Sequence, residues 1–145
     1  MMRISRSALL PYPASAMFAL VNDIASYPAF LPGCLGATVH SATDQEVMAS
    51  LVLGKVGLRY TLTTRNELEP PLRMHMHLVD GPFRSFGAEW TFVPLGEQAC
   101  KASLEMNFEF SAGLLDAALG TLFESTAREL VNAVCARAEQ LYGTA

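Results

Sequence analysis

Cysteine is scarce in this chain, and its spacing excludes two kinds of stabilised scaffold. The three cysteines, Cys34, Cys100 and Cys135, are odd in number and lie far apart, and none belongs to a C-x-x-C pair. A disulfide framework needs an even set of cysteines, and a structural zinc site needs ligands paired at short intervals. We therefore expect three buried free thiols.

Long hydrophobic runs are also absent, although hydrophobic residues make up 51% of the chain. No window approaches the run of about 20 apolar residues that a membrane-spanning helix needs. The N-terminal stretch MMRISRSALLPYP has only a short apolar run before Pro11 and lacks a signal-peptide core. Since the 145 residues contain no internal repeat or linker, we expect a single cytoplasmic domain over residues 1–145.

Sequence motifs for catalysis are missing as well. There is no nucleophile elbow and no glycine-rich phosphate loop. His75 and His77 share one strand face and could hold a metal, but no third ligand stands at a recognisable spacing. Asp80 precedes the Gly81-Pro82 turn, where an aspartate commonly caps the turn. The sequence therefore predicts no catalytic residue and no metal site, and it favours a non-enzymatic protein.

The net charge of −4 disfavours a protein that coats nucleic acid, and we expect no DNA partner. Eight of the ten basic residues nevertheless lie between Arg3 and Lys101, which allows a local basic face. Arg59, Arg65 and Arg73 share odd parity on neighbouring predicted strands and would point outwards from the sheet. They could contact RNA phosphates there, although solvated arginines are the ordinary alternative.

Periodicity divides the chain into a strand, two short helices, six strands and one long helix. Residues 2–10 alternate weakly and would form an edge strand, and Ser15 is expected to cap the helix that follows. A second short helix is expected over about 26–31. The remaining pattern predicts strands at 35–43, 46–54, 57–68, 72–79, 85–95 and 98–110, and then a helix over 112–142 that Gly143 ends.

The last predicted strand has the clearest alternation. Its polar residues share one parity and its apolar residues the other, and the apolar set is Cys100, Ala102, Leu104, Met106, Phe108 and Phe110. Such a strand belongs to a sheet with one buried and one solvated face. Together with the element order, this predicts an α+β fold. We expect a curved antiparallel sheet of about six to seven strands around a long C-terminal helix, with two short helices after the first strand.

The connector NDIASYPAFLPGC at 22–34 is unusual because apolar residues stand between two prolines. Pro28 and Pro32 prevent a regular helix, since each removes a backbone donor and restricts the residue before it. A helix that crosses a concave sheet leaves an open end that needs a cover. We therefore predict that Tyr27, Phe30 and Leu31 form a lid over apolar space between the sheet and the helix.

Several stretches, in order along the chain, carry a family resemblance: VNDIASYPAFLPGC at 21–34, TTRN at 63–66, LVDGPF at 78–83, WTFVPL at 90–95, AC at 99–100, FEF at 108–110 and RAEQLYG at 137–143. As a set they resemble the coenzyme Q-binding family of the START-like (helix-grip, SRPBCC) superfamily. The bacterial ribosome-association toxin branch of that family, RatA, is the most similar. The resemblance spans nearly the whole chain and implies the helix-grip fold.

The resemblance implies functions of different classes. The family binds an isoprenoid quinone (ubiquinone) in a hydrophobic tunnel and supports respiration. For this chain that would mean non-enzymatic lipid transport with transient contact at the inner membrane surface, and no cofactor besides the bound lipid. The toxin branch binds the large ribosomal subunit and blocks its association with the small one. We expect the quinone carrier first and the ribosome toxin as the alternative, with a polyketide cyclase/aromatase-like enzyme third, by fold analogy alone.

The candidate ligand-binding residues come from the lid, the sheet and the long helix. Phe83 is the most telling of them, because an aromatic residue beside the Gly81-Pro82 turn is expected at the rim of a site. We predict ligand contacts from Tyr27, Phe30, Leu31, Phe83, Trp90, Phe92, Phe108, Leu119 and Phe123. For the alternative function we predict ribosome contacts from Arg59, Arg65 and Arg73. Each of the apolar residues could equally be ordinary core.

Overall fold

The computed structural model describes residues 2–55, 57–111 and 114–143, without the side chains of residues 55 and 114–119. Within these ranges the elements follow the predicted order. They are β1 (Met2–Leu10), α1 (Ala14–Asn22), a 3-10 helix (Ile24–Ala29), β2 (Cys34–Ala42), β3 (Glu46–Lys55), β4 (Leu58–Glu69), β5 (Arg73–Asp80), β6 (Phe83–Pro94), β7 (Cys100–Phe110) and α2 (Leu114–Tyr142).

The described strands join one antiparallel sheet in the order β1-β7-β6-β5-β4-β3-β2. β1 lies at one edge, as predicted, and pairs with β7, so the first and last strands are neighbours. β2 forms the other edge. The sheet is curved and holds α2 against its concave face, where the helix contacts β1, β3, β4 and β7. This confirms the predicted α+β architecture.

Alternation along the strands decides which side chains enter the core. In β7 the even-numbered residues from Cys100 to Phe108 are buried, and their odd-numbered neighbours are more exposed. Trp90 and Phe92 on β6 are fully buried, and their rings stack 5.8 Å apart. α2 presents one buried stripe to the sheet, made of residues spaced three or four apart: Phe123, Ala127, Leu130, Val131, Val134 and Ala138.

The first helix begins earlier than predicted, and Ser15 is not its cap. Pro13 occupies the N-cap position in an extended conformation. Its carbonyl accepts hydrogen bonds from the N–H groups of Ala16 and Met17, at 3.0 and 3.2 Å. The fixed φ of proline is compatible with this position, and Ser15 then falls within the first turn, where it can no longer act as the cap. The second short helix spans 24–29 rather than 26–31.

Two tyrosines tie the C-terminal end of α2 to the first helix. Tyr12 donates a hydrogen bond to the carbonyl of Gly143, and Tyr142 donates one to the carbonyl of Ala16 at 3.1 Å. Gly143 has a φ of +79° and ends the helix, as predicted. The predicted start of this helix at 112 lies outside the described residues.

The three cysteines are free thiols, but two of them are buried where three buried thiols were predicted. Cys34 and Cys100 are buried and Cys135 is half-buried. Burial raises the pKa of each thiol, because it penalises the charged thiolate. In the described ranges, no helix has the length and apolar character needed to cross a membrane.

Candidate functional site: an apolar cavity and a charged outer face

The concave face of the sheet, α2 and the connector at 22–34 enclose an apolar cavity of about 60 Å³. A cavity that holds a benzene ring is roughly 150 Å³, so a substituted ring enters this one only if the walls move apart. The lining is almost entirely apolar. It consists of Tyr27, Leu31, Leu51, Leu53, Leu62, Thr64, Met76, Phe86, Trp90, Met106, Phe123, Thr126, Ala127 and Leu130.

Several walls of the cavity can adapt their shape. Met76 on β5 and Met106 on β7 face it with unbranched, flexible side chains. Leu51 on β3 and Phe86 on β6 are only half-buried, so they are less tightly confined than Trp90 beside them. Rotamer changes at these four positions would enlarge the cavity without a rearrangement of the sheet.

The predicted lid covers this cavity. Tyr27 and Leu31 are buried and line it, and the Tyr27 hydroxyl donates a hydrogen bond to the carbonyl of Val21. Burial raises the pKa of Tyr27, so the phenol stays neutral and keeps this bond. Phe30 packs edge-on against Tyr27 at 5.6 Å but lies on the outer side of the lid, where the Arg137 guanidinium sits 5.4 Å above its ring.

Gly33 marks the place where the lid passes closest to α2. Its φ of +83° favours glycine, and a Cβ built there would lie 2.5 Å from Thr126 Oγ1. Its carbonyl accepts a hydrogen bond from the N–H of Gly54 at 2.9 Å, which fixes the end of the lid to β3. Glycine is therefore favoured at position 33 both by the backbone conformation and by the close approach of Thr126.

An aromatic cluster lies beside the cavity. The Phe123 ring is 5.0 Å from Phe83 and 4.8 Å from Phe108, and Phe83 is 4.4 Å from Phe110. Tyr60 on β4 borders the cluster at 6.1 to 6.4 Å from Phe83, Phe110 and Phe123. Its hydroxyl oxygen is buried and has no hydrogen-bond partner in the described structure. Burial raises the pKa of Tyr60, so the hydroxyl remains protonated.

The residues predicted to bind a ligand fall into three groups. Tyr27, Leu31, Trp90 and Phe123 line the cavity. Phe83 and Phe108 contact Phe123 but do not line the cavity. Phe83 was expected at a rim and is instead buried in the cluster, because Tyr60 and Phe110 cover it. Phe92 packs against Phe18 of α1 and is not a lining residue, whereas Phe30 lies outside the lid. The side chain of Leu119 lies outside the described residues.

Sequence reasoning missed most of the lining. The omitted residues are Leu51, Leu53, Leu62, Thr64, Met76, Phe86, Met106, Thr126, Ala127 and Leu130. Strand parity places the sheet residues among them on the inner face, so that signal was present. It marks every inward position equally, however, and does not distinguish the ones that border a cavity from those packed solid.

The arginines predicted to contact RNA lie on the outer face of the sheet, as expected, but two of them are paired with carboxylates. Arg65 lies 3.2 Å from Glu46 and 3.5 Å from Glu67. Arg73 lies 3.5 Å from both Glu69 and Glu89. These contacts offset the positive charge, so the outer face is a network of both signs rather than a basic patch.

Arg59 differs from these two arginines. It is exposed, and no described residue forms an ion pair with it. A phosphate could therefore approach its guanidinium without displacing a carboxylate. Of the three arginines predicted to contact RNA, Arg59 is the one that would not first have to leave a glutamate partner.

His75 and His77 lie on the same outer face with their rings stacked 4.3 Å apart. His77 Nε2 lies 2.6 Å from Glu67 Oε1, although the two groups are not aligned as a hydrogen bond. Among the described side chains, no group of three or more residues is arranged to hold a metal ion. The Asp80 carboxylate accepts a hydrogen bond from the Gly81 N–H at 3.0 Å, in keeping with the predicted role in the turn.

A curved sheet that grips one long helix over a lidded apolar cavity defines a START-like, helix-grip protein. The chain belongs to the polyketide cyclase / dehydrase and lipid transport family, whose profile matches residues 10–135. In fold it is similar to the ZhuI aromatase/cyclase from Streptomyces sp. R1128, with a TM-score of 0.82 over 96% of this chain and 94% of that one. Their 17% identity shows the fold alone.

Two relatives match over almost their entire length. The chain is 45% identical to the ribosome association toxin RatA of Vibrio cholerae, over 99% of each chain. It is 46% identical to the ribosome association toxin RatA of Pseudomonas aeruginosa, over 97% of each. The mitochondrial coenzyme Q-binding protein COQ10 of Drosophila melanogaster is more distant, at 26% identity over 89% of this chain and 55% of that protein.

Proposed function

We propose that this chain acts as a ribosome association toxin. One observation carries the proposal: identity of 45 to 46% with proteins of that name over 97% or more of both chains. The match includes the lid, every strand and α2, so it extends well beyond the shared fold. It favours the alternative raised from the sequence over the quinone carrier that was expected first.

In this proposal the chain binds the large ribosomal subunit in the cytoplasm and hinders its association with the small subunit. The outer face of the sheet is the candidate contact surface. Arg59 would reach RNA phosphates directly, whereas Arg65 and Arg73 would first exchange glutamate partners for phosphate. We therefore expect Arg59 to contribute most and the binding to weaken with salt.

Co-sedimentation tests the proposal. The purified chain is mixed with isolated large or small subunits, and the pellets are assayed after centrifugation through sucrose. We expect the chain in the pellet with large subunits and in the supernatant with small ones. Absence from both pellets at low salt would contradict the proposed function.

A matched pair of charge reversals tests the contact surface separately. Arg59→Glu should weaken co-sedimentation several-fold. Arg128→Glu makes the same change of charge on α2, where Arg128 is paired with Glu124 at 2.8 Å, and should leave co-sedimentation unchanged. If both variants co-sedimented with large subunits equally well, the contact surface would not be the outer face of β4.

The enclosed apolar cavity favours a second function, binding of an apolar ligand such as an isoprenoid quinone. The support comes from the lining, from the lid and from the more distant coenzyme Q-binding relative. Each CH₂ group that enters contributes about 0.8 kcal/mol, so a tail of ten carbons supplies about 8 kcal/mol towards opening the lid and ordering the ligand. Binding of this kind needs no catalytic residue.

Mass spectrometry of an organic extract tests this second function. The chain is purified from quinone-containing cells, extracted, and compared with an equal amount of an unrelated protein prepared in parallel. A quinone at near-stoichiometric amount in the extract is the expected result. An empty extract, together with no uptake of added quinone, would contradict ligand binding.

A further inference from the structure

The four tyrosines of this chain differ in how their hydroxyls are satisfied. Tyr12, Tyr27 and Tyr142 each donate to a backbone carbonyl, of Gly143, Val21 and Ala16 respectively. The Tyr60 hydroxyl is buried and, within the described residues, has no partner. The great majority of buried polar groups in proteins are hydrogen-bonded, so an unpaired one needs an explanation.

The ring of Tyr60 lies beside the cavity, next to residues that line it. Three lining residues surround it: Leu53 is its cross-strand partner on β3, Leu62 is the next inward residue on β4, and Phe123 lies 6.4 Å away. The other aromatic neighbours among the described side chains are Phe83 and Phe110, which offer no acceptor. A ligand that expands the cavity towards the aromatic cluster would bring its own atoms next to this hydroxyl.

Tyr27, Thr64 and Thr126 also bring hydroxyls to the cavity, and those of Tyr27 and Thr64 are already engaged. Thr126 lies where the lid passes closest to α2, beside Gly33, and is not part of the aromatic cluster. Thr64 donates to Asn66 Oδ1 at 2.9 Å, and Tyr27 donates to the carbonyl of Val21. Using either of them for a ligand would break an existing bond. Tyr60 can donate without such a loss.

We propose that Tyr60 donates a hydrogen bond to a neutral acceptor oxygen, such as a ring carbonyl, on the ligand of the cavity. The inference rests on the second proposed function, binding of an apolar ligand, and names the chemistry of its head group. A carboxylate or phosphate head is excluded, because an anion among these phenylalanine rings would be desolvated with only one donor to compensate. The ligand class is therefore a long apolar molecule with an uncharged carbonyl, as in a quinone.

Two probes with the same tail separate the neutral acceptor oxygens of the head group from the apolar tail. Decylubiquinone carries ring carbonyls, and decylbenzene has a tail of the same length without oxygen. Uptake of each from cyclodextrin is measured by mass spectrometry after the protein is separated from free probe. The wild type should bind both and favour the quinone.

Tyr60→Phe removes only the hydroxyl. We expect the affinity for decylubiquinone to fall roughly 3- to 10-fold, the size of one hydrogen bond, and that for decylbenzene to stay unchanged. Tyr12→Phe is the matched control, since the Tyr12 hydroxyl donates to the carbonyl of Gly143 at the C-terminal end of α2 and does not belong to the cavity lining. It should change neither affinity.

The outcomes distinguish this inference from the function on which it rests. If Tyr60→Phe binds both probes like the wild type, or loses both equally, Tyr60 is not the donor and the ligand function stands. If the wild type binds neither probe, the ligand function fails and the inference fails with it. Thermal unfolding checks the premise, because Tyr60→Phe should unfold no earlier than the wild type. An earlier transition would reveal a partner for the hydroxyl and overturn the inference.

Discussion

The two faces of the sheet are built from the same strands but differ in polarity and charge, the properties that decide what each can bind. On β4, Leu62 and Thr64 point inwards and line the cavity, and Tyr60 borders the aromatic cluster beside it. Arg59 and Arg65 point outwards, and Arg65 belongs to a network of charges. Adjacent residues of one strand thus serve different candidate functions. Substitutions one position apart can test one function and leave the other intact.

The two faces also differ in what they contribute to stability. Burial of a large apolar side chain contributes about 1.5–3 kcal/mol, whereas an exposed ion pair contributes about 0–1 kcal/mol. The inner face therefore carries the stability of the fold. The outer face can change with little cost to folding, which suits a recognition surface.

The largest expected effect comes from the centre of the aromatic cluster. Phe123→Ala should lower the free energy of unfolding by about 3–5 kcal/mol, because it leaves a cavity among Phe83, Phe108 and Phe110. Glu124→Ala, one position along the same helix, removes only a partly exposed ion pair with Arg128 and should cost about 1 kcal/mol or less. Guanidinium denaturation measures both, and similar losses would contradict the assigned faces of α2.

The close approach of the lid to α2 predicts the next largest effect. Gly33 and Gly57 share a φ of +83°, but only at Gly33 would a Cβ meet another atom, Thr126 Oγ1. Gly57→Ala should cost about 1–2 kcal/mol for the backbone alone, and Gly33→Ala about 1 kcal/mol more for the clash. Adding Thr126→Ala should recover the difference in denaturation experiments. Equal costs for the two glycine variants would show that the lid yields without strain.

Tyr27 on the lid and Tyr60 on the inner face of the sheet provide a third comparison. Tyr27→Phe should lower the free energy of unfolding by about 1–2 kcal/mol, because the carbonyl of Val21 loses its partner. Tyr60→Phe loses no hydrogen bond within the described residues and should cost nothing. Urea denaturation of the two variants side by side measures the difference. If only Tyr60→Phe lost stability, the Tyr60 hydroxyl would be the bonded one and the Tyr27 hydroxyl the unpaired one.

The smallest expected effect lies on the outer face. Arg65→Ala removes contacts with Glu46 and Glu67 and should cost about 0.2–1 kcal/mol, less at high salt because exposed charges are screened. Arg59→Ala has no described ion pair to lose and serves as the control. Unfolding at low and high salt measures both variants. If the loss of unfolding free energy in Arg65→Ala were the same at low and high salt, the ion pairs of Arg65 would not behave as exposed, screened pairs.

The sequence was sufficient for the fold because its signals there are local. Strand alternation, turn residues and the helical stripe predicted the element order, the edge position of β1 and the end of α2 at Gly143, and the structure confirms them. The observed ends of an element differ from the predicted ends where hydrogen bonds, and not residue propensity, decide where the element begins. Pro13 instead of Ser15 starts α1, because the Pro13 carbonyl accepts the first bonds of the helix.

The site was less predictable, for a different reason. Parity assigns Leu53, Tyr60 and Met76 to the inner face but cannot rank them by their distance from a cavity. That distance depends on the curvature of the sheet and on the path of α2 across it. The pairing of Arg65 with Glu46, 19 residues away in sequence, similarly requires the register of β3 against β4.

By itself, the sequence determined the order of strands and helices, the face on which each strand residue lies and the lid between Pro28 and Pro32, because these depend on neighbours a few residues apart. Only the tertiary structure decided which inward residues enclose the cavity, why Gly33 has no room for a side chain and which hydroxyl is left unpaired. Those features arise where distant segments meet, and the distances between them are set by packing across the whole fold.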